Sequence, residues 1–211
     1  MSKPDLGKTR TRNIEESVIR KMTREALKQG AINLSQGYPD EEMTPKSVKE
    51  EAKKAIQNNN QYSITWGLPE LRKKVAEKYG KWRNLDLDPE KEVTITCGTS
   101  EAVMSSILAL AGKGDGVIYF EPAYENYIPS TQISEAEGKP VEITTDLKLN
   151  KEQLKKQAKN SKLLLLNTPH NPTGKVFTEK ELKLIADLAE DEDLIIISDE
   201  IYEHMEYEGE H

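Results

Sequence analysis

The run LIIIS (residues 194–198) delivers Asp199, Glu200 and Tyr202 at its end. A carboxylate at the tip of so apolar a segment is costly to bury unless it meets a cation. Three other apolar runs also end in residues with chemistry. VTITC (93–97) leads into GTSEA (98–102), where Gly98 turns the chain and Thr99 and Ser100 offer hydroxyls at the start of a helical pattern. Free N–H groups and the helix dipole at such a place hold a phosphate without a cationic side chain, although an ordinary loop with a helix cap fits the same letters. VIYF (117–120) leads into EPAYENY (121–127), whose Tyr124 and Tyr127 either stack on a flat ring or pack a helix against a sheet. LLLLN (163–167) leads into TPHNPTG (168–174), where two prolines and a glycine constrain a turn and hold the Asn171 amide in a defined place.

Each of these signals also has a purely structural explanation. Their combination is more specific: a phosphate cradle, a stacking ring, an amide donor, a phenol and a carboxylate in want of a cation. Those are the requirements of pyridoxal 5'-phosphate, with its phosphate, planar pyridine, phenolic oxygen and protonated ring nitrogen. Neither a Walker A loop nor GxGxxG occurs, which counts against a nucleotide-binding domain. His170, His204 and His211 lack metal-ligand spacing and are taken as structural, and Lys175 is expected to be a solvated side chain.

The elements that must position these residues follow from periodicity. Helical patterns lie near 46–58, 69–82, 100–111, 151–158 and 178–191, with Pro69 at a first turn and TEKE (178–181) as a capping box. Between them fall five β-rich runs, the four above and VEIT (141–144). Consecutive apolar residues separated by amphipathic helices predict strands buried on both faces of a mainly parallel sheet, a three-layer α/β/α fold. Ligands in such sheets sit at the carboxyl ends of strands, which is where the chemistry was found. The first thirty residues are polar, with one helical pattern in Ile14, Val18, Met22 and Ala26. We expect 1–45 to be an arm and part of a small domain, and 46–211 to be an incomplete cofactor-binding domain.

Composition narrows the partners. The chain has 211 residues and a net charge of −7, so neither nucleic acid nor an anionic membrane is an expected partner. Its single cysteine, Cys97, allows no internal disulfide, no apolar stretch reaches spanning length, and MSKPDLGKTRTRNIEE lacks the apolar core of a signal peptide. A soluble cytoplasmic protein acting on a small polar metabolite is the expectation.

From residue 19 to the end, AINLSQGYPD, QYSITWGLPELRKKVAEKY, CGTSEAV, EPAYENY, NTPHNPTGKVF and SDEIYEH resemble, in order, the N-terminal half of class I/II aminotransferases, the fold-type I pyridoxal-phosphate enzymes. The resemblance implies that Asp199 pairs with the pyridine nitrogen, that Asn171 and Tyr202 bond the phenolic oxygen, and that Tyr124 stacks on the ring. It implies that Gly98, Thr99 and Ser100 hold the phosphate, and that Tyr62 reaches the phosphate of a neighbouring subunit's cofactor, hence a homodimer. Gly37 would lie on the substrate's carboxylate side, with Tyr124 and Asn171 also near the substrate. The implied activity is amino transfer from an L-amino acid to a 2-oxo acid. A β-lyase or an aminocyclopropane-carboxylate synthase-like enzyme of the same fold is the nearest alternative, and a non-catalytic truncated homologue is another. The family's Schiff-base lysine has no counterpart, because the last lysine is Lys183. The 211 residues by themselves are therefore expected to be a fragment that does not transaminate, with an exposed sheet edge.

Overall fold

The computed structural model describes residues 9–11, 14–37, 43–58, 60–205 and 207. The last three residues of AINLSQGYPD (38–40) and His211 lie outside them. The chain divides into two compact units, Glu16–Thr96 and Met1–Glu15 with Cys97–His211. The boundary expected near residue 45 marks the onset of regular patterning, a different property from compactness.

In the unit Glu16–Thr96, the polar N-terminal pattern becomes helix α1 (Val18–Gln29). Ser17 caps it by accepting from the Arg20 N–H at 3.2 Å, and Gly30 closes it with a left-handed φ of 60°. Helices α2 (Lys46–Asn58) and α3 (Pro69–Arg83) fall within a residue of their expected limits. The buried Arg72 of α3 is satisfied on every side: it donates to the Gly67 carbonyl at 3.2 Å, the Pro89 carbonyl at 2.5 Å, and both oxygens of Glu90 at 3.1 Å. The run VTITC departs from expectation. Residues 93–96 join no strand ladder, and the Ile95 N–H donates to the Trp66 carbonyl at 3.0 Å. A β-rich run becomes a strand only where a neighbouring backbone pairs with it.

The other unit is built on four parallel strands in the order β2-β1-β3-β4: β1 (Gly116–Glu121), β2 (Glu137–Glu142), β3 (Leu163–Asn167) and β4 (Ile195–Asp199). Alternation along the two central strands generates the layers. Val117, Tyr119, Leu163 and Leu165 point to one face, against Val103 and Ile107 of α4 (Thr99–Leu110) and Tyr127 of α5 (Tyr127–Ile133). Ile118, Phe120, Leu164 and Leu166 point to the other, against Leu154 of α6 (Lys151–Ala158) and Ile185 of α7 (Glu179–Asp191). This is the expected three-layer α/β/α arrangement, with the α7 capping box formed by Thr178 and Glu181.

Two strands correct the expectation of burial on both faces. β4 leaves Ile195 41% exposed, because only β3 pairs with it. β2 begins four residues earlier than the apolar pattern suggests and carries Lys139 and Pro140, which an edge strand tolerates because one side of its backbone needs no partner. Ile143, expected in that strand, instead bridges antiparallel to Leu149. The chain leaves β1 toward β2 on one side and returns to β3 on the other, so the order reverses between β1 and β3. That reversal opens a crevice at their carboxyl ends, the usual place for a ligand in an open α/β sheet.

Candidate active site

Three of the strand ends converge. Thr99, Tyr124, Asn167, Asn171, Asp199, Ile201 and Tyr202 line one cavity of about 80 Å³, room for roughly two or three waters. Five of the residues expected to bind a cofactor are among them: Thr99, Tyr124, Asn171, Asp199 and Tyr202. Gly98 and Ser100 flank Thr99 in the same turn, where Gly98 takes a φ of 79° at the cap of α4 that residues with a β-carbon rarely adopt. Tyr62 and Gly37 belong to the unit Glu16–Thr96, where the Tyr62 side chain is fully exposed.

The end of β4 is fixed from several directions. Asn167, 2% exposed, donates to the Asp199 carbonyl at 2.9 Å and accepts the Asn171 N–H at 2.7 Å, tying the 168–174 turn to the strand. The Thr168 N–H reaches the same carbonyl at 3.2 Å. The Asn171 amide donates to the Tyr202 hydroxyl at 3.1 Å, which brings the two expected partners of one phenolic oxygen side by side. The Thr168–Pro169 and Asn171–Pro172 peptide bonds are cis. An adjoining open cavity of about 560 Å³ shares Asn171 and Tyr202 and is walled by Pro172, Val176 and Met205.

Asp199 is 6% exposed, and among the described residues no lysine, arginine or histidine forms an ion pair with it. Its Oδ1 accepts the Ile201 N–H at 3.3 Å, and its Oδ2 accepts the Tyr127 hydroxyl at 2.5 Å. Burial raises the pKa of Tyr127, and the bond to Asp199 raises it further, so this phenol keeps its proton and donates. Tyr127 also meets Tyr124 edge to face, with ring centroids 5.6 Å apart. Sequence reasoning weighed Tyr127 only as a second stacking or packing aromatic. It missed Asn167 as well, although a polar residue closing an otherwise apolar strand was a visible signal.

Lys175 is not the solvated side chain expected. It is 6% exposed, and its ammonium donates to Glu181 at 2.9 and 3.0 Å and to the Leu147 carbonyl at 2.8 Å. The sequence hid this because the partner helix supplies the acid six residues later, through a fold and not through helical spacing.

His170 is 3% exposed, and its burial has a measurable consequence. Desolvation pulls its pKa from 6.5 down to about 4, with the Lys175 charge adding to the fall and a hydrogen bond to the Phe120 backbone opposing it. Its Nδ1 lies 2.9 Å from Thr173 Oγ1. Between pH 6.5 and 4 the unfolded chain takes up a proton that the folded chain refuses, so stability falls as the pH drops through that window. The full loss is on the order of 3 kcal/mol. Urea unfolding at pH 7 and pH 4 should show this component in the parent and not in His170→Asn.

Among the described residues no cluster of histidine, cysteine or acidic side chains could hold a metal, and no helix is long and apolar enough to cross a membrane. The site does suit a flat, anionic, basic-nitrogen ligand. The buried carboxylate of Asp199 has no cationic partner among the described residues, Tyr124 offers an aromatic ring, and the first turn of α4 offers N–H groups without intrahelical acceptors.

Known proteins are similar to this chain in sequence and fold. The chain is 38% identical to a probable aspartate aminotransferase of Methanocaldococcus jannaschii over 96% of its own length and 54% of that relative's. It is also 38% identical to aromatic-amino-acid aminotransferase 2 of Thermococcus litoralis, over 86% of this chain and 47% of that one. The solved structure of Thermus thermophilus aspartate aminotransferase with maleate superposes with a TM-score of 0.90 at 33% identity, covering 97% of this chain and 55% of that one. The chain thus spans about half the length of the relatives it matches. Residues 29–211 match the family model of aminotransferase class I and II, and the chain belongs to that family.

Proposed function

We propose that these residues form the cofactor-binding portion of a pyridoxal-phosphate-dependent amino-acid aminotransferase, which moves an amino group from an L-amino acid to a 2-oxo acid. The observation that carries the reading is Asp199: a buried carboxylate at a strand end, oriented by Tyr127 and Ile201, with no cation of the chain's own beside it among the described residues. When bound, the cofactor supplies a carbonyl that captures the substrate amine and a cationic ring that draws off the electron pair left at Cα.

The residues of this chain divide the remaining work. Asp199 holds a proton on the ring nitrogen, because a buried carboxylate favours a cation at hydrogen-bond distance. Asn171 and Tyr202, already bonded to each other, present an N–H and an O–H to the phenolic oxygen. Tyr124 covers one ring face, and the 98–100 turn takes the phosphate. Tyr62, fully exposed in the other unit, is assigned to the phosphate held by a second copy, which makes the assembled protein a homodimer. Among the described residues no lysine lines the cavity, so amino transfer needs a base that these cavity-lining residues do not include.

Pyridoxamine 5'-phosphate tests the reading without forming adducts on surface lysines. A concentration near a hundred times its Kd should stabilise the chain by about 2.7 kcal/mol in thermal unfolding. ATP and NAD should leave the midpoint unchanged. Stabilisation by either nucleotide, with none by the pyridoxamine ligand, would make this a nucleotide-binding domain instead.

A further inference from the structure

Asn126 occupies the N-cap position of α5, where an asparagine side chain ordinarily accepts from the N–H groups of its own helix. It makes no such bond. Its Nδ2 instead donates to Ser100 Oγ at 2.7 Å and to the Tyr124 hydroxyl at 3.1 Å, and those two oxygens lie 3.3 Å apart. One amide therefore joins the α4 turn to the ring of Tyr124, and it gives up a stabilising cap to do so.

Counting protons gives the cluster a direction. The amide places both of its N–H protons on the two oxygens. The hydroxyls own two further protons, and only one can lie between them. The other must be donated outward. Ser100 is the second residue of α4, whose first-turn N–H groups also point out of the helix, and its neighbour Thr99 lines the cavity together with Tyr124. The spare donor, whether on Ser100 or on Tyr124, therefore lies beside the N-terminal turn of α4.

We infer that Asn126 is a positioning residue for the cofactor phosphate: by donating to both the Ser100 and the Tyr124 hydroxyl oxygen, it keeps an outward donor at the α4 turn and makes the site select the phosphorylated ring. The inference rests on the cofactor reading above. It differs from a bracing role for Asn126, in which the amide would merely hold α5 against α4 and its loss would weaken every ring ligand alike.

Calorimetric titration of the chain with pyridoxamine 5'-phosphate and with pyridoxamine separates these. The parent should prefer the phosphorylated amine. In Asn126→Ala that preference should fall about tenfold, the size of one charge-assisted hydrogen bond. Asn126→Asp keeps the shape, replaces the donors with acceptors and adds a negative charge, so the preference should fall further. Ser100→Ala should reproduce the effect, and adding Asn126→Ala to it should change the preference little more. Equal weakening of both ligands, or an unchanged preference in both Asn126 variants, overturns the inference while the cofactor reading stands. A parent that binds both amines equally, or neither, removes the cofactor reading and the inference with it. Should Asn126→Ala not fold, the isosteric Asp variant decides alone.

Discussion

Asp199→Asn should weaken binding of pyridoxamine 5'-phosphate by roughly a hundredfold, about 3 kcal/mol, while leaving the fold intact. The substitution preserves size and an oxygen for the Tyr127 hydroxyl, now 2.5 Å from Oδ2, at the cost of the longer 3.3 Å bond from the Ile201 N–H, so the loss reports mainly the charge. The penalty is large because the carboxylate is 6% exposed. Water cannot replace it, and a ring that keeps its proton would be left as an unpaired cation in a buried site. A ligand with CH in place of the ring nitrogen provides the control. It should bind parent and variant within a few-fold of each other, and calorimetry of both ligands against both proteins gives the coupling directly.

The second large effect lies in the fold that carries the site. Lys175→Met should destabilise the chain by about 3 to 5 kcal/mol in denaturant unfolding, the usual result of removing one partner from a buried pair. Lys175 and Glu181 are 6% and 8% exposed, and the ammonium also bonds the Leu147 carbonyl. The Lys175 carbonyl accepts the His170 N–H at 2.9 Å, so the pair anchors the closing end of the turn that presents Asn171. Burial alone would raise the Glu181 pKa, but bonds from the Thr178 backbone, Lys175 and the Thr178 hydroxyl outweigh it, and the net shift is downward. Its stabilising contribution is therefore present above the ordinary glutamate range and is lost as the pH falls through the depressed folded value. Adding Glu181→Gln to Lys175→Met removes the stranded charge and should recover much of the loss.

Much of the architecture was legible because its signals are local. The pattern in 151–158 and the capping box at 178–181 fixed α6 and α7, and the consecutive leucines of 163–166 could be buried only if both faces of β3 were covered. What failed depended on neighbours. VTITC has the composition of a strand but no ladder, β2 recruits Glu137 to Pro140 because the register with Gly116 to Tyr119 demands it, and β4 is exposed because it pairs on one side. α5 was not foreseen because YIPSTQI is short and contains Pro129, which a first turn tolerates.

The candidate site divides in the same way. The residues that line the cavity, Thr99, Tyr124, Asn171, Asp199 and Tyr202, follow apolar runs in the sequence, and that position singled them out. Residues that hold them were not. Tyr127 lies 72 positions from Asp199, Asn126 lies 26 from Ser100, and Lys175 meets its acid only through the α7 cap. Pairings of that kind are created by the fold, and no spacing rule announces them.

The central claim is that Asp199 faces the ring nitrogen of a bound pyridine and keeps it protonated. Nitrogen NMR of ¹⁵N-labelled pyridoxamine 5'-phosphate bound to the chain reads that proton at the atom concerned. The bound ring nitrogen should remain protonated at pH values where the free ligand has lost its proton, and Asp199→Asn should abolish the difference. A bound ring that titrates as it does in free solution, or one unaffected by Asp199→Asn, would contradict the account.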